Sequence, residues 1–193
     1  MIIGLTGGIG SGKTTIAKLL EVMGCAIYNS DEQAKDVYYK PEVKEQVIQL
    51  LGNESYISDL EINKSFISSK VFSDNQLLQQ LNNIIHPAVK TDFIQFTNQF
   101  AANKIIIKES AILFETGIYK DLEKTILVTA PLDIKIKRVM ARSSISKEEI
   151  EKRISAQWDD EKKSSMADFT IQNDGSEALI PQVSTILSKL KHV

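Results

Sequence analysis

A glycine-rich segment near the N-terminus constrains this chain more than any other feature. Residues 7–14 match the pattern G-x-x-x-x-G-K-[ST], and they directly follow a short apolar segment, Ile2–Thr6. Apolar residues then recur at helical spacing up to Gly24, a residue type that commonly ends helices. A chance match is expected in about 1 in 100 chains of this length, and here the flanking strand and helix are also predicted. The sequence therefore predicts a loop that holds the phosphates of a nucleoside triphosphate.

Each residue type in this loop has a physical reason to contact phosphate. Glycines let the backbone curl so that successive N–H groups point at phosphate oxygens, and the following helix adds the positive end of its dipole. Lys13 is predicted to reach the terminal phosphates, and Thr14 to offer its hydroxyl to a Mg²⁺ ion that bridges phosphate oxygens. The residues that we expect to bind the nucleotide here are Gly8, Gly10, Ser11, Gly12, Lys13, Thr14 and Thr15.

The rest of the chain alternates apolar strands with helical segments. Further strands are predicted at 25–29, 104–109, 125–129 and 169–171. Helices are predicted at 132–141, 145–158 and 178–190. This alternation indicates an α/β protein with a parallel sheet covered by helices on both faces, which is the three-layer fold of P-loop NTPases.

One long segment interrupts this alternation. From about residue 32 to residue 100 the pattern is mostly helical, without a predicted strand, and His86-Pro87 is expected to interrupt or kink a helix. Such a length exceeds what a crossover between parallel strands needs. We therefore expect a helical insertion that can serve as the lobe for a second substrate.

Composition excludes several classes of protein. The chain has 193 residues, of which 42% are hydrophobic and 25% charged, so one globular domain is expected. A formal net charge of -2 gives no basic field that would indicate nucleic-acid binding. Cys25 is the sole cysteine, so no intrachain disulfide is possible, and no signal peptide or membrane span is predicted. A cytoplasmic protein is the expectation, and the oligomeric state is not indicated.

Two carboxylates follow predicted strands. Asp31 lies just beyond the strand at 25–29, and Glu109 ends the strand at 104–109. In open parallel sheets, ligands bind at the carboxyl ends of the strands. Asp31 could accept the proton of a substrate hydroxyl or hold Mg²⁺ through water, but capping of the following helix is an equal alternative. Glu109 stands where many P-loop proteins place an acid linked to the metal, and an exposed strand-end charge is the equal alternative.

Arginines and one histidine are further candidates. Arg138 and Arg142 are four residues apart and share a helix face, from which they could stack on the base and neutralise the charge that develops during phosphoryl transfer. A solvated surface is the ordinary alternative for such a charged helix. His86 could hydrogen-bond a substrate, or it could simply be a polar residue at a helix break.

Absent motifs narrow the function. The guanine-reading N-K-x-D motif is missing, as Ser65-Phe66 follows Asn63-Lys64, and there is no D-x-x-G segment, so a switch GTPase is not expected. A segment like the L-S-G-G-Q of transporter ATPases is also missing. The small size, the helical insertion and the late arginines favour a small-molecule kinase.

At this level of detail the chain resembles the dephospho-CoA kinase family. Residues 3–15 are close to the family's opening, and residues 27–31 match its "ViDAD" stretch. The further matches, in order, are residues 34–35 with "AR", 71–72 with "VF", 86–87 with "HP", and 109–115 with "D-x-P-L-L-F-E". Arg138, Arg142, Arg153 and Gln157 fall on its lid segment, and residues 167–175 match its "AD-x-x-I-x-N-x-G" ending.

The resemblance implies transfer of a phosphoryl group from ATP, with Mg²⁺, to the ribose 3′-hydroxyl of dephospho-CoA, the last step of coenzyme A synthesis. It implies one kinase domain over residues 1–193, with a core (about 1–31, 101–140 and 160–193), a lobe for the CoA substrate (about 32–100) and a lid (about 141–159). The catalytic residues would be Lys13, Asp31 and Arg142. Arg138 and Arg142 would contact ATP. The substrate side would comprise Asp31, Lys35, His86 and Glu115.

Four positions depart from the family pattern. Asn29 replaces the first acid of a pair, and Glu109 replaces an aspartate and reaches one methylene further. Ala111 replaces a proline, and Lys35 replaces an arginine and loses a bidentate grip on phosphate. Two alternatives stay open, namely a nucleoside or nucleotide kinase of similar fold and a non-catalytic nucleotide-binding protein.

Overall fold

The computed structural model describes residues 1–72, 74–143 and 145–191. The chain divides into two compact units. We call Met1–Asn29, together with the chain from Ala101 onward, the P-loop unit, and Ser30–Phe100 the inserted unit. None of the helices among the described residues combines the length and apolar character needed to cross a membrane.

The strands confirm the predicted parallel sheet. They are Ile2–Thr6 (β1), Ala26–Asn29 (β2), Tyr56–Ser58 (β3), Glu61–Ile62 (β4), Ile106–Glu109 (β5), Lys124–Thr129 (β6) and Phe169–Gln172 (β7). The sheet of the P-loop unit has the order β2-β5-β1-β6-β7, and every neighbouring pair in it is parallel. Because β1 lies at its centre, the loop that follows β1 leaves from the middle of the carboxyl edge.

The α-helices account for most of the remaining chain. They are Lys13–Val22 (α1), Ser30–Asp36 (α2), Pro41–Leu51 (α3), Lys64–Phe72 (α4), Asn75–Thr97 (α5), Leu132–Arg142 (α6), Lys147–Ser155 (α7), Asp160–Ser164 (α8) and Leu179–Leu190 (α9). The helix predicted over 145–158 is confirmed as α7, with narrower bounds. Ser146 caps its start by accepting from Glu149 N at 3.2 Å. The short helix α8 was not predicted, and Asp159 caps it by accepting from Lys162 N at 2.7 Å.

A buried apolar cluster fixes the first helix against the sheet. Ile3 and Leu5 of β1, Ile16 and Leu20 of α1, and Val183 of α9 belong to it and are fully buried. Burying a side chain of this kind stabilises the fold by about 1.5–3 kcal/mol. The N-terminus of α1 is therefore held in place by packing that does not depend on a ligand.

The inserted unit is mainly helical and has its own core of Val43, Val47, Ile67, Leu81 and Ile85. The prediction that it has no strand is wrong, because β3 and β4 pair as a short antiparallel hairpin. Three-residue and two-residue strands are too short to show an alternating pattern.

The predicted interruption at His86-Pro87 is also wrong, because α5 continues through Pro87. Proline removes one helical hydrogen bond and crowds the preceding turn. Ile85 before it and Val89 after it pack into the same apolar cluster of the inserted unit, and this packing offsets the cost.

Candidate active site

The loop between β1 and α1 has a backbone that only glycine adopts easily. Gly10 has φ 82° and Gly12 has φ 95°, both in the left-handed region. A Cβ atom on Gly10 would lie 2.5 Å from the backbone oxygen of Lys135, and one on Gly12 would lie 2.1 Å from Nδ2 of Asn173. Conformation and close packing therefore both require glycine at these positions.

The C-terminal half of the loop is held through the carbonyl of Ser11. Asn173 Nδ2 donates to this oxygen at 2.8 Å, and Arg138 Nη1 donates to it at 3.4 Å. Arg138 Nη2 also donates to Asn173 Oδ1 at 3.2 Å. The structure thus brings Arg138 against the loop, together with the buried Asn173, which received no role from the sequence. The signal available for Asn173 was its position directly after the last parallel strand.

The other half of the loop is held at Ile9. Gln157 Oε1 accepts a hydrogen bond from Ile9 N at 3.0 Å, and Gln157 Nε2 donates to Ala111 O at 3.3 Å. The Ile9 side chain packs against the buried residues Ile136, Val139 and Ile150 of α6 and α7.

An ion pair lies beside Gly8. Lys135, whose side chain is 8% exposed, pairs with Asp160, and Thr129 Oγ1 donates to the same carboxylate at 2.5 Å. A Cβ atom on Gly8 would lie 3.3 Å from Lys135 Nζ. These groups border a cavity of about 720 Å³ that Trp158 and Pro131 also line. The sequence pattern gave no indication of this pair, because its partners are polar residues on separate helices.

Lys13 and Thr14 start α1. Lys13 Nζ donates to the carbonyl of Gly7 at 2.9 Å and to that of Gly8 at 3.5 Å, so its ammonium group lies over the first part of the loop. Thr14 is exposed in the first helical turn. A hydroxyl is a hard oxygen ligand of the kind that Mg²⁺ prefers, so the residues present fit a Mg²⁺ ion held together with nucleotide phosphates.

Glu109 is buried at the end of β5, and its side chain Oε2 accepts from Asn29 Nδ2 at 3.4 Å. The alternative of an exposed strand-end charge is therefore wrong. Asn29 and Glu109 are two of the four departures from the family pattern, and they are partners here. An amide beside the carboxylate avoids the repulsion that two acids would create.

Glu115 belongs to a buried cluster in the P-loop unit. Its Oε1 accepts from Lys163 Nζ at 2.8 Å and from Trp158 N at 3.0 Å, and the Lys163 side chain is fully buried. Lys163 Nζ also donates to Ala111 O at 3.4 Å. The second oxygen, Oε2, is buried and has no hydrogen-bond partner among the described residues.

Arg142 differs sharply from Arg138, although both belong to α6. Arg142 is exposed at the end of the helix and makes no hydrogen bond or ion pair within residues 1–72, 74–143 and 145–191. Two arginines one turn apart therefore have different environments, because Arg138 is hydrogen-bonded to the loop and Arg142 is exposed to solvent.

The inserted unit carries the other predicted residues. Asp31 lies inside the first turn of α2, rather than before it, and is exposed. Lys35 is exposed one turn later and pairs with Glu32 at 2.7 Å. His86 is exposed on α5.

The sequence and the fold of this chain are similar to those of known proteins. The dephospho-CoA kinase family model matches residues 1–178. The chain is 40% identical to the dephospho-CoA kinase of Bacteroides fragilis strain YCH46, over 97% of this chain and 92% of that protein. A Thermus thermophilus protein of known crystal structure is 32% identical, with a TM-score of 0.88 and coverage of 98% and 97%. The dephospho-CoA kinase of Campylobacter jejuni shares the fold, with a TM-score of 0.71 at 23% identity and coverage of 99% and 97%. This chain belongs to the dephospho-CoA kinase family.

Proposed function

We propose that this chain transfers the γ-phosphate of ATP to the ribose 3′-hydroxyl of dephospho-CoA and so makes coenzyme A in the cytoplasm. Family membership over nearly the whole chain supports the acceptor. The observation that supports ATP as the phosphoryl donor is the geometry of the glycine loop. Its Gly7 carbonyl accepts a hydrogen bond from Lys13, and the loop is held at Ile9 and Ser11.

The groups proposed to bind ATP would act mainly by positioning its phosphates and offsetting their charge. The backbone N–H groups of residues 10–15 and the N-terminus of α1 would bind the inner phosphates of ATP. Lys13 would move its ammonium group from the Gly7 carbonyl to the terminal phosphate, where it stabilises charge in the transition state. Thr14 would hold a Mg²⁺ ion, with Asp31 or Glu109 as candidates to contact it through water, and the ion would supply positive charge that offsets the charge of the phosphates.

On the acceptor side, Asp31 is the proposed partner of the 3′-hydroxyl. It follows β2 by two residues, and the carboxyl end of β2 lies at the same sheet edge as that of β1. Phosphoryl transfer passes through a loose transition state that needs little early proton removal, so Asp31 would chiefly orient the hydroxyl. Lys35, His86 and Glu115 are the proposed contacts of the CoA precursor.

The lid proposed at about 141–159 would bring Arg142 to the phosphates, and Arg138, which hydrogen-bonds Ser11 O, would contact ATP from the loop side. Arginine contacts of this kind stabilise charge on the phosphoryl group in transit. Residues of about 32–100 form the proposed substrate lobe. Closure of the lid would exclude water and limit ATP hydrolysis.

The test is an acceptor comparison. The protein is incubated with Mg-ATP and either dephospho-CoA or a set of nucleoside monophosphates, and products are identified by mass. We expect coenzyme A and little phosphorylation of nucleotides. If a nucleoside monophosphate is phosphorylated and no coenzyme A forms, the chain is a nucleotide kinase, and ATP binding without any turnover would indicate a non-catalytic protein.

A further inference from the structure

Gln157 makes an unusual connection between two loops. It follows α7 by two residues, and its amide contacts Ile9 in the phosphate loop and Ala111 in the loop after β5. These loops extend two neighbouring strands, β1 and β5. One side chain therefore fixes the distance between them, accepting from one backbone and donating to the other.

The position of Ile9 within the loop gives this bond a specific meaning. Lys13 Nζ, the group expected to reach the terminal phosphate, lies on the carbonyls of Gly7 and Gly8, directly before Ile9. Asn173 and Arg138 hold the loop two residues further on, at Ser11, next to the start of α1. The loop thus has two separately held halves, and Gln157 holds the half beside the lysine head group.

The chain after α7 is attached to the core at several consecutive points. Beyond Gln157, the N–H of Trp158 donates to Glu115, Asp160 pairs with Lys135, and the buried Lys163 pairs with Glu115. Movement within the proposed lid segment, about 141–159, would therefore end before Gln157, which would remain fixed while the residues before it turn. The Ile9 side chain also packs against α6 and α7, so backbone and side chain hold this residue on the same side.

We propose that Gln157 is a positioning residue that sets the terminal-phosphate half of the loop for transfer of the γ-phosphate. This rests on the proposed function for its effect on turnover, but its effect on nucleotide binding does not involve the acceptor. A displacement of the loop by a fraction of a bond length would shift Lys13 relative to the terminal phosphate, and such a shift would lower the rate and weaken binding of the terminal phosphate while the contacts to the inner phosphates are kept.

The variant Gln157→Met keeps the length of the side chain and removes both hydrogen bonds. The chain offers a matched control in Gln182, which also accepts from one backbone N–H (Gln172, 2.9 Å) and donates to a carbonyl (Gln172, 3.0 Å). Calorimetry would measure the Kd of each variant for ADP and for the β,γ-imido analogue of ATP, with Mg²⁺. Steady-state kinetics would measure kcat and KM.

We expect the Kd of Gln157→Met for ADP to lie within about twofold of that of the unaltered chain. Its triphosphate preference, which is the Kd for ADP divided by the Kd for the β,γ-imido analogue, should fall about tenfold. Its kcat should fall by about tenfold or more, with KM for dephospho-CoA nearly unchanged. Gln182→Met should match the unaltered chain in both measurements.

An unchanged triphosphate preference in Gln157→Met overturns the proposal, as does an equal loss of ADP and triphosphate binding, which would indicate general loop collapse. If Gln157→Met does not fold, Gln157→Asn carries the same test, because it keeps the polarity and withdraws the amide by one methylene. If the unaltered chain makes no coenzyme A, the proposed function fails, and the binding comparison still decides the role of Gln157.

Discussion

The two units of this protein hold their candidate residues in opposite ways. In the P-loop unit, contacts over long sequence distances fix the loop: Gln157 with Ile9 spans 148 positions, and Asn173 with Ser11 spans 162. In the inserted unit, Asp31, Lys35 and His86 are exposed, and the ion pair of Lys35 is with Glu32 in the same short helix. The contacts of the phosphate loop are therefore built into the tertiary fold, whereas Asp31, Lys35 and His86 stand on a helical surface. The fourth proposed acceptor-side group, Glu115, is held within the P-loop unit by Lys163.

Groups fixed by the fold and exposed side chains contribute to the free energy of a reaction in different ways. Groups already held in place stabilise a transition state without reorganisation, so their removal lowers kcat. Exposed side chains lose rotamer freedom when a substrate orders them, so their net contribution to binding is smaller. Substitutions in the P-loop unit should accordingly change ATP binding or the transfer step, whereas substitutions in the inserted unit should leave ATP binding unchanged, and the predictions below test that separation.

The largest effect should come from Lys13→Ala. This change removes the ammonium group that lies over Gly7 and Gly8, and with it the charge proposed to stabilise the phosphoryl group in transit. We expect kcat to fall on the order of 1,000-fold, with the fold retained, as measured by steady-state kinetics and circular dichroism. An unchanged kcat would contradict the placement of Lys13 on the terminal phosphates.

Asp31→Asn should have the next largest effect. Because Asp31 lies in the inserted unit, this variant can be compared directly with Lys13→Ala in the P-loop unit. We expect kcat to fall about 100-fold while the Kd for ATP stays within about twofold, since the carboxylate is proposed to orient the acceptor. Asp36→Asn is the matched control, because Asp36 is an exposed aspartate of the same helix, and it should retain full activity. Near-normal turnover of Asp31→Asn would remove Asp31 from this role.

A smaller effect is expected at Arg138, with Arg142 as its counterpart. Arg138→Lys loses the planar fork that contacts Ser11 and Asn173 together, so the Kd for ATP should rise about fivefold and the unfolding temperature should fall. Arg142→Lys should leave the unfolding temperature unchanged, because Arg142 is exposed. Calorimetry and thermal unfolding would measure both variants, and identical behaviour would mean that the loop contact of Arg138 has no consequence.

The sequence could predict the elements that have strong local patterns. The glycine loop, the apolar strands β1, β5 and β6, and the parallel sheet all follow from residue type and periodicity, and they agree with the structure. The short hairpin of β3 and β4 was missed because it is too short to show a period. The continuous α5 was missed because packing around Pro87 outweighs a local rule.

The candidate site was predictable in part, for the same physical reason. Motif spacing predicts Lys13 and Thr14 as contacts of phosphate and metal, and these roles stay predictions. Helical spacing placed Arg138 and Arg142 on one helix, which α6 confirms. The separation of those arginines into a fixed one and an exposed one depends on Asn173, which lies 35 residues from Arg138. The hydrogen bonds of Gln157 and the pairing of Asn29 with Glu109 likewise join distant positions and leave no periodic trace.

The smallest effect on turnover should come from Asp168, which belongs to the family-like segment 167–175 but lies at the opposite edge of the sheet from the glycine loop. Asp168 precedes β7, and its carboxylate contacts the start of β6: Lys124 Nζ at 2.8 Å, Thr125 N at 2.8 Å and Thr125 Oγ1 at 2.9 Å. Partial burial raises the pKa of Asp168, but the hydrogen bonds from Lys124 and Thr125 outweigh it, so the pKa lies below its ordinary value of 3.8.

Asp168→Asn should therefore lower the free energy of unfolding by about 1–3 kcal/mol at neutral pH and change kcat by less than about twofold. A depressed pKa means that the carboxylate stabilises the fold above the ordinary pKa and loses this contribution as the pH falls through the lower, folded value. The stability gap between the unaltered chain and the variant should thus be constant near neutrality and narrow in acid below the ordinary pKa. Urea unfolding across this pH range measures the gap. A gap that stays constant in acid would show that the ionised carboxylate does not stabilise the fold, and a large loss of kcat would show that this aspartate acts in catalysis and not only in joining two strands far from the phosphate loop.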